Sequence, residues 1–183
     1  MYRLPANAVE PEFAELLRYW DSRRQGDRLP ARADIEPLDL RGLLPHLLLL
    51  DVERAGDDLR FRFRVAGTAF TTLIGRDVTG LRVEELGPSD RVTPVQDGLA
   101  AIVRTGRPCY LAGRPTLHND RFARVKRLGV PLATDGRTVD MILAVWLVQP
   151  QPAGTDSDLE IGAPILLDEC RLSGSADHPK YAK

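Results

Sequence analysis

The chain has 183 residues, with 25 lysines and arginines against 26 aspartates and glutamates, so its net charge is close to zero. This length suits one domain with short extensions, and the charge argues against a protein that binds nucleic acid mainly through phosphate contacts. Hydrophobic residues make up 43% of the chain, as in ordinary globular proteins, and no apolar run approaches the roughly 18 residues of a membrane span.

The N-terminal segment and the cysteines bear on where the protein resides. The N-terminus lacks the apolar segment of a secretory signal. Cys109 and Cys170 have no spacing typical of a metal or redox site. We therefore expect a cytoplasmic protein that binds no metal, membrane or nucleic acid.

The first predicted element is an amphipathic helix over residues 9–25. Val9, Phe13, Leu16, Leu17 and Trp20 recur at helical spacing and form one apolar stripe. Such a stripe must be buried against another surface.

A proline-rich connector then leads into two predicted strands, over residues 47–52 and 59–65. The first is almost wholly apolar, which is typical of an interior strand. In the second, Phe61, Phe63 and Val65 alternate with three arginines, so we expect these three side chains on one face.

Helices are predicted in the middle of the chain. Residues 68–74 form a short helix that ends at Gly75, and a longer one begins at Ser89 or Asp90 and ends at Gly106. Its predicted buried stripe comprises Val92, Val95, Leu99, Ile102 and Val103.

Three more strands are predicted, over residues 108–117, 122–132 and 139–148. Asp135-Gly136 predicts a type I′ hairpin before the last of them. That last strand is apolar on both faces, so we expect it at the centre of the sheet.

This order of elements predicts an α+β fold with one five-stranded antiparallel sheet. The order resembles the PAS fold. The local sequences that carry the resemblance are LLLLDV at 47–52, FRFRVAGTAF at 61–70, LIGRD at 73–77, TGRP at 105–108 and PLATDG at 131–136. Trp20, Arg23 with Gly26, and LPAR at 29–32 are similar to the N-terminal segment of bacterial stand-alone PAS proteins.

The resemblance implies a strand order of 2-1-5-4-3, with short helices on one face of the sheet and a cavity beneath them. It divides the chain into an N-terminal helix and connector (1–46), a PAS-like sensory domain (47–149) and a largely mobile tail (150–183). Within this tail, residues 161–167 are apolar enough to dock as an edge strand or across a dimer partner. The candidate residues of the pocket are Phe70, Leu73, Ile74, Val103, Tyr110, Arg124, Met141 and Leu143. Alternatively, these residues simply fill a closed core; which face of the last strand lines the pocket stays open.

Basic residues are concentrated between residues 102 and 127. This stretch contains seven basic residues and one acidic residue, Asp120. They form either a solvated strand face or a site for an anionic ligand or acidic partner. Arg124 lies in mid-strand. If it points inward it must be paired or bind an anion, and otherwise it lies on the outer surface.

No catalytic constellation is evident, so we do not expect an enzyme. The predicted long helix has no histidine for haem, and no Gly-x-Asn-Cys-Arg-Phe motif indicates a covalent flavin. Haem and covalent flavin are therefore disfavoured, and the cofactor stays unknown.

By this resemblance, we expect a sensory or regulatory module in bacterial signalling that binds a small molecule, a protein partner or both. The N-terminal helix, through Phe13, Leu16, Leu17 and Trp20, packs either on the sheet or on its copy in a homodimer. We expect the homodimer. The alternatives are a ligand-free dimerisation or scaffold module and a small-molecule enzyme on a similar α+β fold.

Overall fold

The computed structural model describes residues 2–56, 58–113, 123–150 and 163–168. The helices of this part are α1 (Pro11–Ser22), α2 (Thr68–Ile74) and α3 (Ser89–Thr105), with several short 3₁₀ turns. Its strands are β1 (Leu47–Ala55), β2 (Asp58–Ala66), β3 (Cys109–Gly113), β4 (Ala123–Leu132), β5 (Met141–Pro150) and β6 (Ile165–Leu166).

The strands form one antiparallel sheet in the order β2-β1-β5-β4-β3-β6. The predicted α+β architecture and the order 2-1-5-4-3 are therefore confirmed. The sheet has a sixth strand that was not counted in the prediction, because Ile165–Leu166 pairs with the start of β3. It belongs to the segment expected to dock as an edge strand, whereas the rest of the predicted tail beyond residue 150 lies outside the described residues, apart from 163–168.

The central strand β5 is buried on both faces, as its sequence predicted. Ile142 and Ala144 pack into a core beneath α2 and α3, while Leu143, Val145 and Leu147 pack into a second core beneath α1. Alternation along a strand sends successive side chains to opposite faces. The sheet therefore separates two hydrophobic cores.

Helix α1 lies on the sheet of its own chain. Phe13, Leu16, Leu17 and Trp20 are all at most 5% exposed. The Trp20 indole donates a hydrogen bond to the Pro131 carbonyl oxygen at 2.7 Å, which fixes the helix to β4. These four side chains are therefore already covered within one protomer and are not available for a helix-to-helix dimer contact.

The helix is shorter than the predicted span 9–25. It begins at Pro11, a residue favoured in the first turn because it has no N–H to satisfy, and Val9 is 76% exposed. Including Val9 in the buried stripe was therefore wrong.

A β-bulge in β1–β2 changes the predicted alternation of β2. Leu49 pairs with Val65 but Leu50 pairs with Phe63, so the register shifts by one residue between them. A shift of one residue reverses the face to which a side chain points. Phe61 and Phe63 are buried as expected, but Val65 is 50% exposed. The prediction that Val65 shares a face with Phe61 and Phe63 was therefore wrong.

The opposite face carries α2 and α3, whose ends match the prediction closely. Gly75 and Gly106 follow the helices with φ of 78° and 64°, values that glycine adopts without the strain of a Cβ. Helix α3 begins at Ser89, with Pro88 as its N-cap residue. Val92, Leu99 and Ile102 are buried and face the sheet.

The connection between β4 and β5 is longer than the predicted two-residue hairpin. The last strand pair is Leu132 with Met141, so residues 133–140 form the loop. The Asp135 carboxylate accepts hydrogen bonds from the backbone N–H groups of Arg137 (2.8 Å) and Thr138 (2.7 Å). This side-chain turn replaces the predicted type I′ geometry.

Candidate ligand cavity

A cavity of about 50 Å³ lies between α3 and the sheet. Its walls come from five strands and the inner face of α3, and they are almost entirely apolar. The lining residues are Leu48, Leu50, Phe63, Val83, Val95, Gly98, Leu99, Ile102, Cys109, Leu111, Arg127, Gly129, Ala144, Val145 and Trp146.

A glycine allows α3 to approach the sheet closely at this wall. A Cβ built on Gly129 would lie 2.7 Å from Ile102 Cδ1, closer than real side-chain contacts, so β4 has no side chain where α3 passes. The Ile102 side chain of α3 therefore packs directly on the backbone of β4 beside the cavity.

Arg127 is the charged residue among those that line the cavity. It lies in β4 directly opposite Trp146 in β5, and its guanidinium carbon is 4.1 Å from the centre of the indole ring. Its Nε and Nη1 atoms are buried and have no hydrogen-bond partner within the described part of the chain. The indole face offers the cation an electrostatic contact, but it leaves these N–H donors without acceptors.

Burial has a measurable electrostatic consequence for this side chain. It lowers the pKa of Arg127 well below its ordinary value, to about 9, because the apolar surroundings disfavour the charged form. The guanidinium is still protonated at neutral pH. The cavity wall thus carries a positive charge that no carboxylate among the described residues neutralises.

The indole of Trp146 adds a further donor to the same wall. Its Nε1 atom is also buried without a hydrogen-bond partner among residues 2–56, 58–113, 123–150 and 163–168. Phe70 of α2 packs on this indole with a centroid distance of 4.5 Å. Buried donors without acceptors among the described residues therefore lie beside an otherwise apolar space.

Cys109 lines the cavity as well, at the start of β3. It is 4% exposed, and burial raises the pKa of its thiol from 9.0 to about 11. A thiol with that pKa is almost fully protonated at neutral pH and is a poor nucleophile.

Seven of the eight predicted pocket residues have described side chains, and none of these seven is among the residues that line the cavity. Phe70, Ile74 and Val103 pack in the core on the α2–α3 side, where Phe70 contacts the cavity residue Trp146, and Leu73 is partly buried. Tyr110, Met141 and Leu143 pack in the opposite core, beneath α1. Their strand positions point them away from α3, which the apolar pattern of β5 did not reveal.

Arg124 pairs with Gln149 in the backbone register of the sheet, and its side chain lies outside the described residues. The argument that an inward-facing arginine on this strand must be paired or bind an anion applies instead to Arg127. The sequence signal for it was the spacing of β4, since Val125, Arg127 and Gly129 share a strand face and two of them line the cavity.

The neighbouring Lys126 points to the other face of the sheet. Its ammonium donates to Glu10 Oε1 at 2.5 Å and to the Asn7 carbonyl oxygen at 2.7 Å. The two charged side chains are 9% and 10% exposed, so this is a buried ion pair between β4 and the residue that precedes α1.

The comparison with known families matches these features. The sequence profile described as PAS domain matches residues 9–147, from the segment before α1 into β5. The chain belongs to the PAS domain family. None of the curated proteins compared with this PAS chain matches it.

Membership gives this PAS domain a general role, since such domains are typically sensory or regulatory modules without catalytic activity and commonly mediate protein interactions. Across the described ranges, no helix is long and apolar enough to cross a membrane. The same residues contain no group of three or more His, Cys, Asp and Glu side chains arranged to hold a metal ion.

Proposed function

We propose that this PAS domain is a non-catalytic sensory module of bacterial cytoplasmic signalling that takes a small molecule into the cavity beneath α3. The observation that carries the proposal is the partly buried, unneutralised guanidinium of Arg127 in the wall of that cavity, two of whose nitrogens are buried without a partner among the described residues. A buried charge without an ionic partner destabilises a fold. A binding role explains why the chain has an arginine there instead of an apolar residue.

The cavity is connected to an element that can transmit its state. Cys109 lines the cavity and pairs with Leu166 of β6, and a Cβ on the cavity residue Gly98 would lie 3.8 Å from Pro164. Residues 163–168 are further held by the backbone hydrogen bond from Leu167 to Pro108, at 2.9 Å. A ligand that displaces α3 would therefore change how this segment packs on the sheet. A protein partner that binds the segment would respond to that change.

We also propose a homodimer, through a surface other than the stripe of α1. Phe13 and Trp20 are fully buried against the chain's own sheet, so a dimer through them would require α1 to leave its place. Size-exclusion chromatography with light scattering tests the proposal: twice the mass of one chain supports it, and the mass of one chain across the micromolar range contradicts it.

Native and denaturing mass spectrometry on one purified sample test the sensory proposal. We expect a native mass that exceeds the bare chains and returns to the chain mass after denaturation. Ala144→Val is the matched control, because it adds two methyl groups to the cavity wall and should remove the bound species without touching Arg127. Bare chains in both spectra, with no small molecule recovered, would favour the scaffold module instead.

A further inference from the structure

We propose that the ligand of this cavity is a short aliphatic monocarboxylate, about the size of propionate or butyrate, whose carboxylate pairs with Arg127. This inference rests on the proposed function, since it names the chemical class that the same cavity would take. Three features carry it: the charge in the wall, the apolar character of the remaining walls and the volume of the space.

The charge requires an anion. Arg127 Nε and Nη1 and Trp146 Nε1 are buried donors without acceptors among the described side chains and backbone. A carboxylate supplies acceptor oxygens together with the negative charge, and hydrogen bonds between two charged groups are stronger than those between neutral ones. A neutral amide or alcohol would offer an acceptor but would leave the cation unneutralised.

The other walls require an apolar body. Leu48, Leu50, Phe63, Leu99 and Ile102 surround the rest of the space, and they offer no hydrogen bonds from their side chains. An inorganic phosphate or a dicarboxylate would bring polar oxygens against this surface and would lose their hydration without replacement. A monocarboxylate with an alkyl tail would place its carboxylate at the charged wall and its tail against the apolar walls.

The volume sets the length of the tail. The cavity of about 50 Å³ is about three to five times the roughly 10–15 Å³ that a cavity needs to hold one water, so it has space for a few non-hydrogen atoms but not for a long acyl chain. An alkyl tail of about two or three carbons follows from these two volumes.

The test compares acids with their neutral isosteres on the intact chain. Propionate and butyrate are titrated beside propionamide and butyramide, with octanoate as the length control, at constant ionic strength by isothermal titration calorimetry. We expect the two short acids to bind at least about tenfold more tightly than their amides and than octanoate, since ionic hydrogen bonds contribute about 1.5–3 kcal/mol.

Two arginine variants assign the binding to the cavity. Arg127→Met should weaken butyrate binding by about tenfold or more, whereas Arg127→Lys should recover part of the affinity because it keeps the positive charge. Arg64→Met is the matched control, because Arg64 is an exposed arginine on β2 that pairs with Asp51, and it should leave binding unchanged. Urea unfolding of each variant shows that the folded state is retained.

The remaining outcomes separate this inference from the proposed function. Equal binding of acid and amide, tighter binding of octanoate, or full affinity in Arg127→Met overturns the short monocarboxylate while a small-molecule sensor stands. Failure of every titrated compound overturns it too. If mass spectrometry then also finds only bare chains, the sensory function falls with it.

Discussion

Lys126 and Arg127 are consecutive residues of β4 whose cations lie on opposite faces of the sheet, and they have opposite electrostatic environments. Lys126 is paired with Glu10 at 2.5 Å, whereas two guanidinium nitrogens of Arg127 are buried without a partner among the described residues. The first cation ties α1 to the sheet. The second lies in the wall of the cavity beneath α3, with its guanidinium carbon 4.1 Å from the centre of the Trp146 ring.

The unpaired cation should reduce the stability of the ligand-free protein. Arg127→Met keeps most of the side-chain volume and removes the charge, so we expect the free energy of unfolding to rise by about 1–3 kcal/mol. Urea denaturation at pH 7 measures the change. A loss of stability of similar size would mean that the arginine has a structural partner.

The same residue predicts how stability depends on alkaline pH. The folded pKa of Arg127, about 9, lies well below the pKa of an arginine in the unfolded chain. Between these two pKa values the unfolded chain binds more protons than the folded one, so the wild type gains stability as pH rises above about 9. The difference in the free energy of unfolding between Arg127→Met and the wild type should therefore decrease between pH 8 and 10, as measured by urea denaturation at several pH values. A constant difference over that range would contradict the buried charge.

Removing one partner of the buried ion pair between Lys126 and Glu10 should destabilise the protein. Lys126→Met removes the ammonium that neutralises Glu10 in a site where both side chains are about one-tenth exposed, and we expect a loss of about 3 kcal/mol. Arg64→Met breaks an ion pair whose arginine is 53% exposed, and it should cost less than about 1 kcal/mol. Equal losses for the two variants in urea denaturation would show that the Glu10 pair is solvated.

The Cys109 thiol should be unreactive in the folded protein. Burial raises its pKa to about 11, so little thiolate exists at pH 8 and reagents reach it only after local opening. In a Cys170→Ser background, we expect a disulfide reagent to label Cys109 much more slowly than it labels the same chain in urea. Labelling at equal rates would place this thiol at the surface.

The loop between β4 and β5 should contribute to stability in mild acid. The Arg137 backbone N–H, the Thr138 side chain and the Thr138 backbone N–H lower the pKa of Asp135 from 3.8 to about 2, so its contribution to stability is present above pH 3.8 and is lost as pH falls towards 2. Asp135→Asn keeps the acceptor oxygen but does not titrate. Its stability should therefore fall less steeply than that of the wild type between pH 4 and 2, when circular dichroism follows acid unfolding; parallel curves would contradict the shift.

The sequence predicted the order of elements and the sheet because these depend on local patterns. The apolar run of β5 and the glycines after α2 and α3 carry enough information to place those elements. The bulge between Leu49 and Leu50 could not be predicted, since it depends on how two strands pair, and it moved Val65 to the other face.

The site was harder to predict than the fold. The strand β5 is apolar on both faces, so nothing in its composition distinguishes Ile142 and Ala144, which face α3, from Met141 and Leu143, which face α1. That an inward-facing arginine on this strand is paired or binds an anion stays a prediction, and choosing between Arg124 and Arg127 requires the strand's phase. That phase is set by tertiary contacts such as the close approach of Ile102 to Gly129.

The most direct test of a ligand site at Arg127 is nitrogen-15 NMR of its side-chain Nε–H group, assigned by its loss in Arg127→Lys. During titration with butyrate, we predict a saturable shift of this resonance that follows the calorimetric binding curve, together with a shift of the Trp146 indole N–H. No change in either resonance at butyrate concentrations that shift other signals would place the ligand elsewhere and contradict the assignment of this cavity.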